Sequence, residues 1–413
     1  MDISWQLLRE LEVSYGDAFY LLDLVIFEKN YHEFLEAFRS IYPKSNIAYS
    51  YKTNYTPRLC QSVDGMGGYA EVVSIMEYDL ALRIGVLPSR IIFNGPYKRE
   101  ADIEKALLAG SIVNLDSFSE VVIVEDIASR SPERNMTVGL RCNFDLSTTE
   151  ISRFGFDVAG EEFQAAFDTL NRLKNCRVGG LHCHFSTSNK SLESYAQRAR
   201  KMLELVAYHF GDTYPQFINL GGGFFSKMPP DFRKQFPYPI PSYQEYATAI
   251  ATQFRKTFSD DSKPELILEP GTAITANVMK FVAKVINIKT VRSRTVALAS
   301  GSIHNIKPTL HKKNLPMRVF SNHHDLEPER NGGQVDIVGY TCMEHDCLYN
   351  GYAGSLALGD YIVFDNVGAY TTVMKPPFIH PCPAMIAYNP HQREFEVIKR
   401  QEEFSDVFST YVF

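Results

Sequence analysis

Between residues 46 and 270 the chain alternates short apolar runs with longer stretches whose apolar positions recur at helical spacing. The first pattern fits buried strands and the second amphipathic helices, so together they predict βα units around a parallel sheet. Eight runs can be counted: NIAYS, GYAEV, RIIFN, SIVNL, TVGLRC, VGGLHCHF, FINL and ELILE. Stretches such as KREADIEKALLAG supply the helices between them. Eight units predict a (β/α)8 barrel, whose functional groups gather at the C-terminal ends of the strands. Beyond about residue 275 the rhythm changes to VMKFVAKVINIKTV, RTVALAS, QVDIVGYTC and DYIVFDN, separated by Gly, Asn and Asp. That pattern predicts an all-β domain. The expected division is a barrel over 24–275 and a β domain made of 1–23 and 276–413. The stretch SKMPPDFRKQFPYPIPSY at 226–243 reads as a long βα loop over the barrel mouth, and PERNGG at 328–333 as a hairpin loop.

Composition narrows the function. The 413 residues are 45% hydrophobic, enough for a sizeable core. A net charge of -6 with no long basic block gives no footprint for nucleic acid or an anionic membrane. No run approaches a membrane span, and MDISWQLLRELEVSYG lacks the features of a secretory signal. Seven cysteines, an odd number over a long chain, fit a reducing compartment, so a cytoplasmic location is expected.

The strand ends carry the candidate chemistry. Lys52 closes the first run among tyrosines, where desolvation favours a neutral, nucleophilic amine. Glu269 ends LILE, His182 and His184 in HCHF point to the same face of a strand, and Gly221 to Gly223 follow FINL. Three glycines there allow backbone N–H groups to close around a phosphate. A lysine for a Schiff base, a carboxylate for a pyridine nitrogen and a phosphate loop are the parts of a pyridoxal 5'-phosphate (PLP) site. Each residue alone also has a plainer reading as packing or as a tight turn. The stretch CMEHDC at 342–347 fits no common zinc spacing.

On AYSYKTN, GLHCHFST, NLGGGF, LEPGT, YTCMEHD and VGAY, in that order, the chain resembles the fold-type III PLP decarboxylases, with the alanine racemase-like barrel and β domain. This is the family of diaminopimelate decarboxylase and eukaryotic-type ornithine decarboxylase. The resemblance implies that Lys52 is the Schiff-base lysine, His184 stacks on the cofactor ring and Glu269 pairs with its nitrogen. It places the phosphate on Thr187, Gly222, Gly223 and Tyr370, with Gly271 helping, and puts Glu71 and Arg141 beneath the cofactor as a charge pair. It also implies a homodimer in which Cys342, as proton donor, and Asp346 complete the partner's active site.

Three departures bear on the substrate. Thr272 stands where the family's Glu-Pro-Gly-Arg motif has arginine, leaving a charge to be supplied elsewhere. Lys307 and His311 replace the arginine and tyrosine of an Arg-Pro-x-Leu-Tyr stretch. Met343 follows Cys342 where decarboxylases of simple diamino acids commonly have an acid, with Glu344 one place further on. With the cations His304, Lys307, His311, Lys312 and Lys313, this suggests an amino acid already joined to a larger acid, as in siderophore assembly. The alternatives are a free diamino acid (diaminopimelate, lysine or ornithine) or a non-catalytic PLP-binding or regulatory protein. Glu269 argues against a racemase, in which arginine faces the ring nitrogen.

Overall fold

The computed structural model describes residues 2–146, 151–185, 187, 190–211, 213–258, 264–310, 312–322, 334–389 and 394–413. The chain divides into a barrel unit, Asn30–Phe225 with Tyr238–Ala273, and a sheet unit, Met1–Lys29 with Ser226–Pro237 and Ile274–Phe413.

The barrel strands are β1 (Ser45–Ser50), β2 (Tyr69–Val72), β3 (Ile91–Phe93), β4 (Ile112–Leu115), β5 (Met136–Asn143), β6 (Cys176–His182), β7 (Phe217–Gly222) and β8 (Glu265–Glu269). Each pairs in parallel with the next, and β8 pairs with β1 to close the barrel. These are the eight runs expected from the sequence. They are nearly continuous in apolar residues because a parallel barrel buries both faces of each strand. Ala48, Ile92, Phe217 and Ile267 form a buried cluster. Close neighbours explain two strand glycines. A Cβ at Gly180 would stand 2.3 Å from the Phe217 carbonyl and 2.6 Å from its ring, and one at Gly139 would stand 1.9 Å from Asn114 Oδ1.

Serines start the outer helices where the strand ends need fixing. Ser74 accepts from the Glu77 N–H at the start of the helix Ile75–Arg83, and the Glu77 carboxylate accepts from the Val73 N–H at 2.7 Å. The turn after β2 is thereby tied down. Ser242 and Glu245 form the same reciprocal cap on Tyr243–Thr257.

Among the described residues the sheet unit is built on nine strands. Its strand Ala18–Asp23 pairs antiparallel with Met279–Val291 and parallel with Ala384–Asn389. Leu8 and Leu11 of the helix Trp5–Tyr15 pack on Phe19, Leu21, Val282, Val363 and Ile386. The segment 226–243 joins β7 to the helix Tyr243–Thr257, as expected of a long βα loop. Ser226–Pro237 groups with the sheet unit, where the Lys313 ammonium donates to the Gln235 carbonyl at 2.7 Å and Gln235 donates to the Asn314 carbonyl at 2.8 Å. Pro229 and Pro230 open a helical turn, Pro230–Arg233, that shapes the segment. The proposed hairpin loop at 328–333 lies outside the described residues.

Candidate active site

Lys52 occupies a three-residue turn, Tyr51–Thr53, directly after β1. The Tyr49 hydroxyl donates to the Asn54 carbonyl at 2.6 Å and pins that turn. Gly271 lets it pack closely, since a Cβ there would stand 2.0 Å from the Thr53 hydroxyl. The Lys52 Nζ lies 2.5 Å from Glu71 Oε2. Glu71, at the end of β2, is fully buried.

Asn94, just beyond β3, joins this pair to a second carboxylate. Its Nδ2 donates to Glu71 Oε1 at 2.9 Å and to Glu269 Oε1 at 2.7 Å. Its own oxygen accepts from Asn114 at 2.7 Å, which fixes the amide's orientation. Asn219 donates to Glu269 Oε1 at 2.8 Å. His182 Nε2 stands 3.3 Å from Glu269 Oε1 and His184 Nδ1 stands 3.5 Å from Oε2. Burial alone would raise the Glu269 pKa, but His182 and Lys52 oppose it, and the group is held well below the ordinary carboxylate range. Glu269 is therefore an ionised carboxylate held by fixed donors.

Burial has the opposite consequence for His184, whose pKa it lowers to about 4 against the pull of Glu269. The ring is neutral at physiological pH. Its Nδ1 accepts the Gly222 N–H at 3.1 Å, which assigns the ring proton to Nε2. Gly221 takes a positive φ of 68°, and a Cβ there would stand 2.4 Å from the Cys183 carbonyl. A Cβ at Gly222 would stand 2.1 Å from the Glu269 carbonyl. Larger residues would fill this turn. A cavity of about 1240 Å³ opens beside His184, Phe185 and Thr187, bordered also by Phe144, Arg153 and Lys201.

Two expectations change at this end of the barrel. Arg141 is not paired with Glu71. Its Nη1 lies 3.0 Å from Asp116 Oδ1 and its guanidinium lies over Phe154, because Lys52 and Asn94 already occupy the Glu71 oxygens. His182 and His184 do not share a strand face as neighbours in a ladder, since β6 ends at His182. Both still approach Glu269.

In the sheet unit the expected residues are arranged differently. Cys342 and Glu344 are exposed on a turn before the strand Cys347–Tyr352. Asp346 is buried, and its carboxylate accepts from the Ile303 N–H at 2.7 Å, the Thr341 N–H at 3.0 Å and the Thr341 hydroxyl at 2.6 Å. It holds the turn and has little capacity left for a ligand, which corrects its expected role. Lys307 is buried and donates to the Lys313 carbonyl at 2.7 Å. Burial lowers its pKa to about 8. Lys313 points to the Gln235 carbonyl instead, and His304 rests edge-on to Phe378, so these side chains do not form one cationic patch. His311 lies outside the described residues. Tyr370 has a positive φ of 52°, a conformation costly for a bulky side chain and often retained at functional sites.

The sequence reading did not pick out Asn94, Asn114, Asn219, Asp116 or Arg198. The three asparagines sit at or near the C-terminal ends of β3, β4 and β7, inside runs that otherwise read as apolar. An amide in such a run is the signal that was available.

An eight-stranded barrel unit and a sheet unit in one chain define a class that solved structures share. A structure of diaminopimelate decarboxylase from M. jannaschii matches with a TM-score of 0.85 at 23% identity, covering 98% of this chain and 94% of that one. Diaminopimelate decarboxylase from Helicobacter pylori complexed with L-lysine matches with a TM-score of 0.82 at 23% identity, covering 97% and 98%. These likenesses establish the fold. Among curated proteins, diaminopimelate decarboxylase of Aquifex aeolicus is 24% identical over 386 residues, covering 89% of this chain and 85% of that protein. Residues 27–276 match the family described as pyridoxal-dependent decarboxylase, pyridoxal binding domain. The chain belongs to that family, the fold-type III PLP decarboxylases, and its cofactor is PLP.

The residues fit this cofactor. A strand-end amine, an ionised carboxylate fixed by two amides, a neutral imidazole and a glycine turn that side chains would fill meet at one end of the barrel.

Proposed function

We propose that the protein removes CO2 from an amino acid already joined to a larger acid, releasing an amine in a specialised biosynthetic pathway such as siderophore assembly. The observation that carries the decarboxylase reading is the bonded chain Lys52, Glu71, Asn94, Glu269, with His184 against its last member. When bound, PLP supplies an electron sink for the pair left at Cα as CO2 departs. Lys52 Nζ would anchor the cofactor, and Glu71 holds that amine in place. Glu269 keeps a negative charge where a pyridine N–H must stay protonated, and Asn94 and Asn219 stop it turning away. His184 offers a neutral flat face. Thr187, Gly222, Gly223, Gly271 and Tyr370 hold the phosphate, and Arg141, tied to Asp116, braces the His184 carbonyl.

Cys342 Sγ supplies the proton that returns to Cα. It is exposed in the single chain, which suits a residue that completes another subunit's site, so the active form is a homodimer with shared sites. The barrel over 24–275 binds the cofactor, and 1–23 with 276–413 supply the dimer contacts. The setting is the cytoplasm. Among the described residues no helix is long and apolar enough to cross a membrane.

The substrate class rests on Thr272 and Met343, where the chain departs from decarboxylases of free diamino acids. A second reading, a free diamino acid, is supported by the curated relatives and by exposed Glu344, two residues after Cys342, as the acceptor of a distal ammonium. CO2 release by the PLP-loaded protein against diaminopimelate, lysine, ornithine and citrate-conjugated diamino acids separates them. Turnover of conjugates alone supports the first reading, and turnover of a free diamino acid replaces it with the second. No CO2 from any amino acid would sink both.

A further inference from the structure

The barrel unit contains a buried cation that its described neighbours leave uncompensated. Arg198, on the helix Leu192–Phe210, has no exposed surface. Its Nη2 lies 3.5 Å from the Thr187 hydroxyl and 3.4 Å from the Ser194 hydroxyl, both long for hydrogen bonds. Its Nε and Nη1 have no partner among the described residues. The guanidinium lies 4.2 Å over the Tyr195 ring. The other buried cations of this unit each face a carboxylate, with Lys98 2.9 Å from Glu120 and Arg141 3.0 Å from Asp116. A guanidinium does not shed its charge, so burying one without an anion is costly.

The position of Arg198 indicates where that anion sits. Tyr195, on which Arg198 lies, donates its hydroxyl proton to the Gly222 carbonyl at 3.0 Å, and a Cβ at Gly223 would stand 3.1 Å from that hydroxyl. Arg198 thus lies one side chain behind the glycine turn and against Thr187. The stretches NLGGGFF and LEPGTA around the turn contain no lysine or arginine. A phosphate dianion held there by backbone N–H groups and a hydroxyl lacks a full counter-charge from those stretches.

We propose that Arg198 is the cationic partner of the cofactor's phosphate, acting from behind the Gly221 to Gly223 turn beside Thr187 and supplying the charge that Thr272 does not. It is a binding and positioning residue that takes no part in the chemistry at Cα. The inference rests on the PLP reading of the same site.

The test compares PLP with pyridoxal, which lacks the phosphate, binding to the full-length apoprotein in equilibrium dialysis. Arg198→Gln should weaken PLP by roughly ten- to a hundred-fold, the loss of a charge-assisted contact, while pyridoxal affinity changes by less than about three-fold. Arg198→Lys, which keeps the charge without the fork, should fall between. Equal weakening of both ligands, or no weakening of PLP, would overturn the proposal. Wild-type holoprotein provides a check that needs no substitution. The 31P resonance of its bound cofactor should keep the dianion position down to about pH 5, below the roughly pH 6 at which a free phosphate monoester titrates. Titration at the free value would overturn the proposal. A wild-type chain that binds neither PLP nor pyridoxal would overturn the cofactor reading and this proposal with it.

Discussion

In the barrel unit Lys52, Glu71, Asn94, Asn219 and Glu269 are bonded to one another around a largely buried centre. In the sheet unit Cys342 and Glu344 stand exposed on a turn, while Asp346 and Lys307 are spent on groups of their own chain. The first arrangement fixes charges and donors before any ligand arrives, which is where electrostatic stabilisation of a reaction comes from. The second gives a rigid turn that presents a thiol and a carboxylate to whatever surface meets it. One region is built to hold and polarise, the other to present side chains.

Substitutions should separate the two regions. The largest effect is expected at Lys52. Lys52→Ala should abolish the visible absorption band of lysine-bound cofactor and lower CO2 release on the order of a thousand-fold or more. Glu269→Gln keeps the side chain's shape and removes its charge. It should retain the cofactor while kcat falls by roughly several hundred-fold, measured as CO2 release at saturating substrate.

The sheet unit should answer differently at two residues four apart. Cys342→Ala should lower amine formation by roughly a hundred-fold, as expected for a lost proton donor, with an unchanged melting temperature. Asp346→Ala should act through stability, lowering it by about 2 to 4 kcal/mol in denaturant unfolding. It leaves the buried Ile303 N–H and the half-buried Thr341 N–H without their acceptor. If Asp346→Ala instead spared stability and removed activity, the contrast between the turn's frame and its presented residues would fail.

The smallest effect is the acid response of the barrel unit. His184 has a folded pKa of about 4 against an ordinary 6.5, so the unfolded ring takes up a proton where the folded ring does not. The stability it contributes is full above pH 6.5 and is lost as pH falls towards 4, up to about 3 kcal/mol. Burial pushes Glu77 the other way, to about 7, so its contribution is full below pH 4.5 and is lost as pH rises towards 7. Glu77→Gln removes this opposing slope. Its stability should fall more steeply than wild type between pH 6.5 and 4.5 in urea titrations, and an unchanged slope would remove Glu77 from the account.

What the sequence revealed follows from where each residue sits. Lys52, Glu71, Glu269 and the three glycines end barrel strands, and a strand end in this fold faces the site whatever the helices do. Asn94, Asn114 and Asn219 were hidden because an amide inside RIIFN, SIVNL or FINL resembles a ladder position until the barrel's bore is seen. Arg198 was hidden by its neighbours, since QRARK reads as a solvated helix face. Its spacing carried a trace of its burial, as Tyr195, Arg198, Ala199 and Met202 form one stripe and the other three are buried. Asp346 misled for a different reason. Its motif position said nothing about the turn at 341–346, where the Thr341 N–H and hydroxyl take up its carboxylate. Strand periodicity located the elements, but which carboxylate is free depends on hydrogen bonds made across tens of residues.

The most direct test of the central claim, that Lys52 within the Glu71, Asn94 and Glu269 network is the cofactor's anchor, is borohydride reduction of the PLP-loaded protein followed by peptide mass mapping. The account predicts a single pyridoxyl group on Lys52, carried by the peptide that contains AYSYKTN. A pyridoxyl group on another lysine, or none on a protein that still releases CO2, would contradict it.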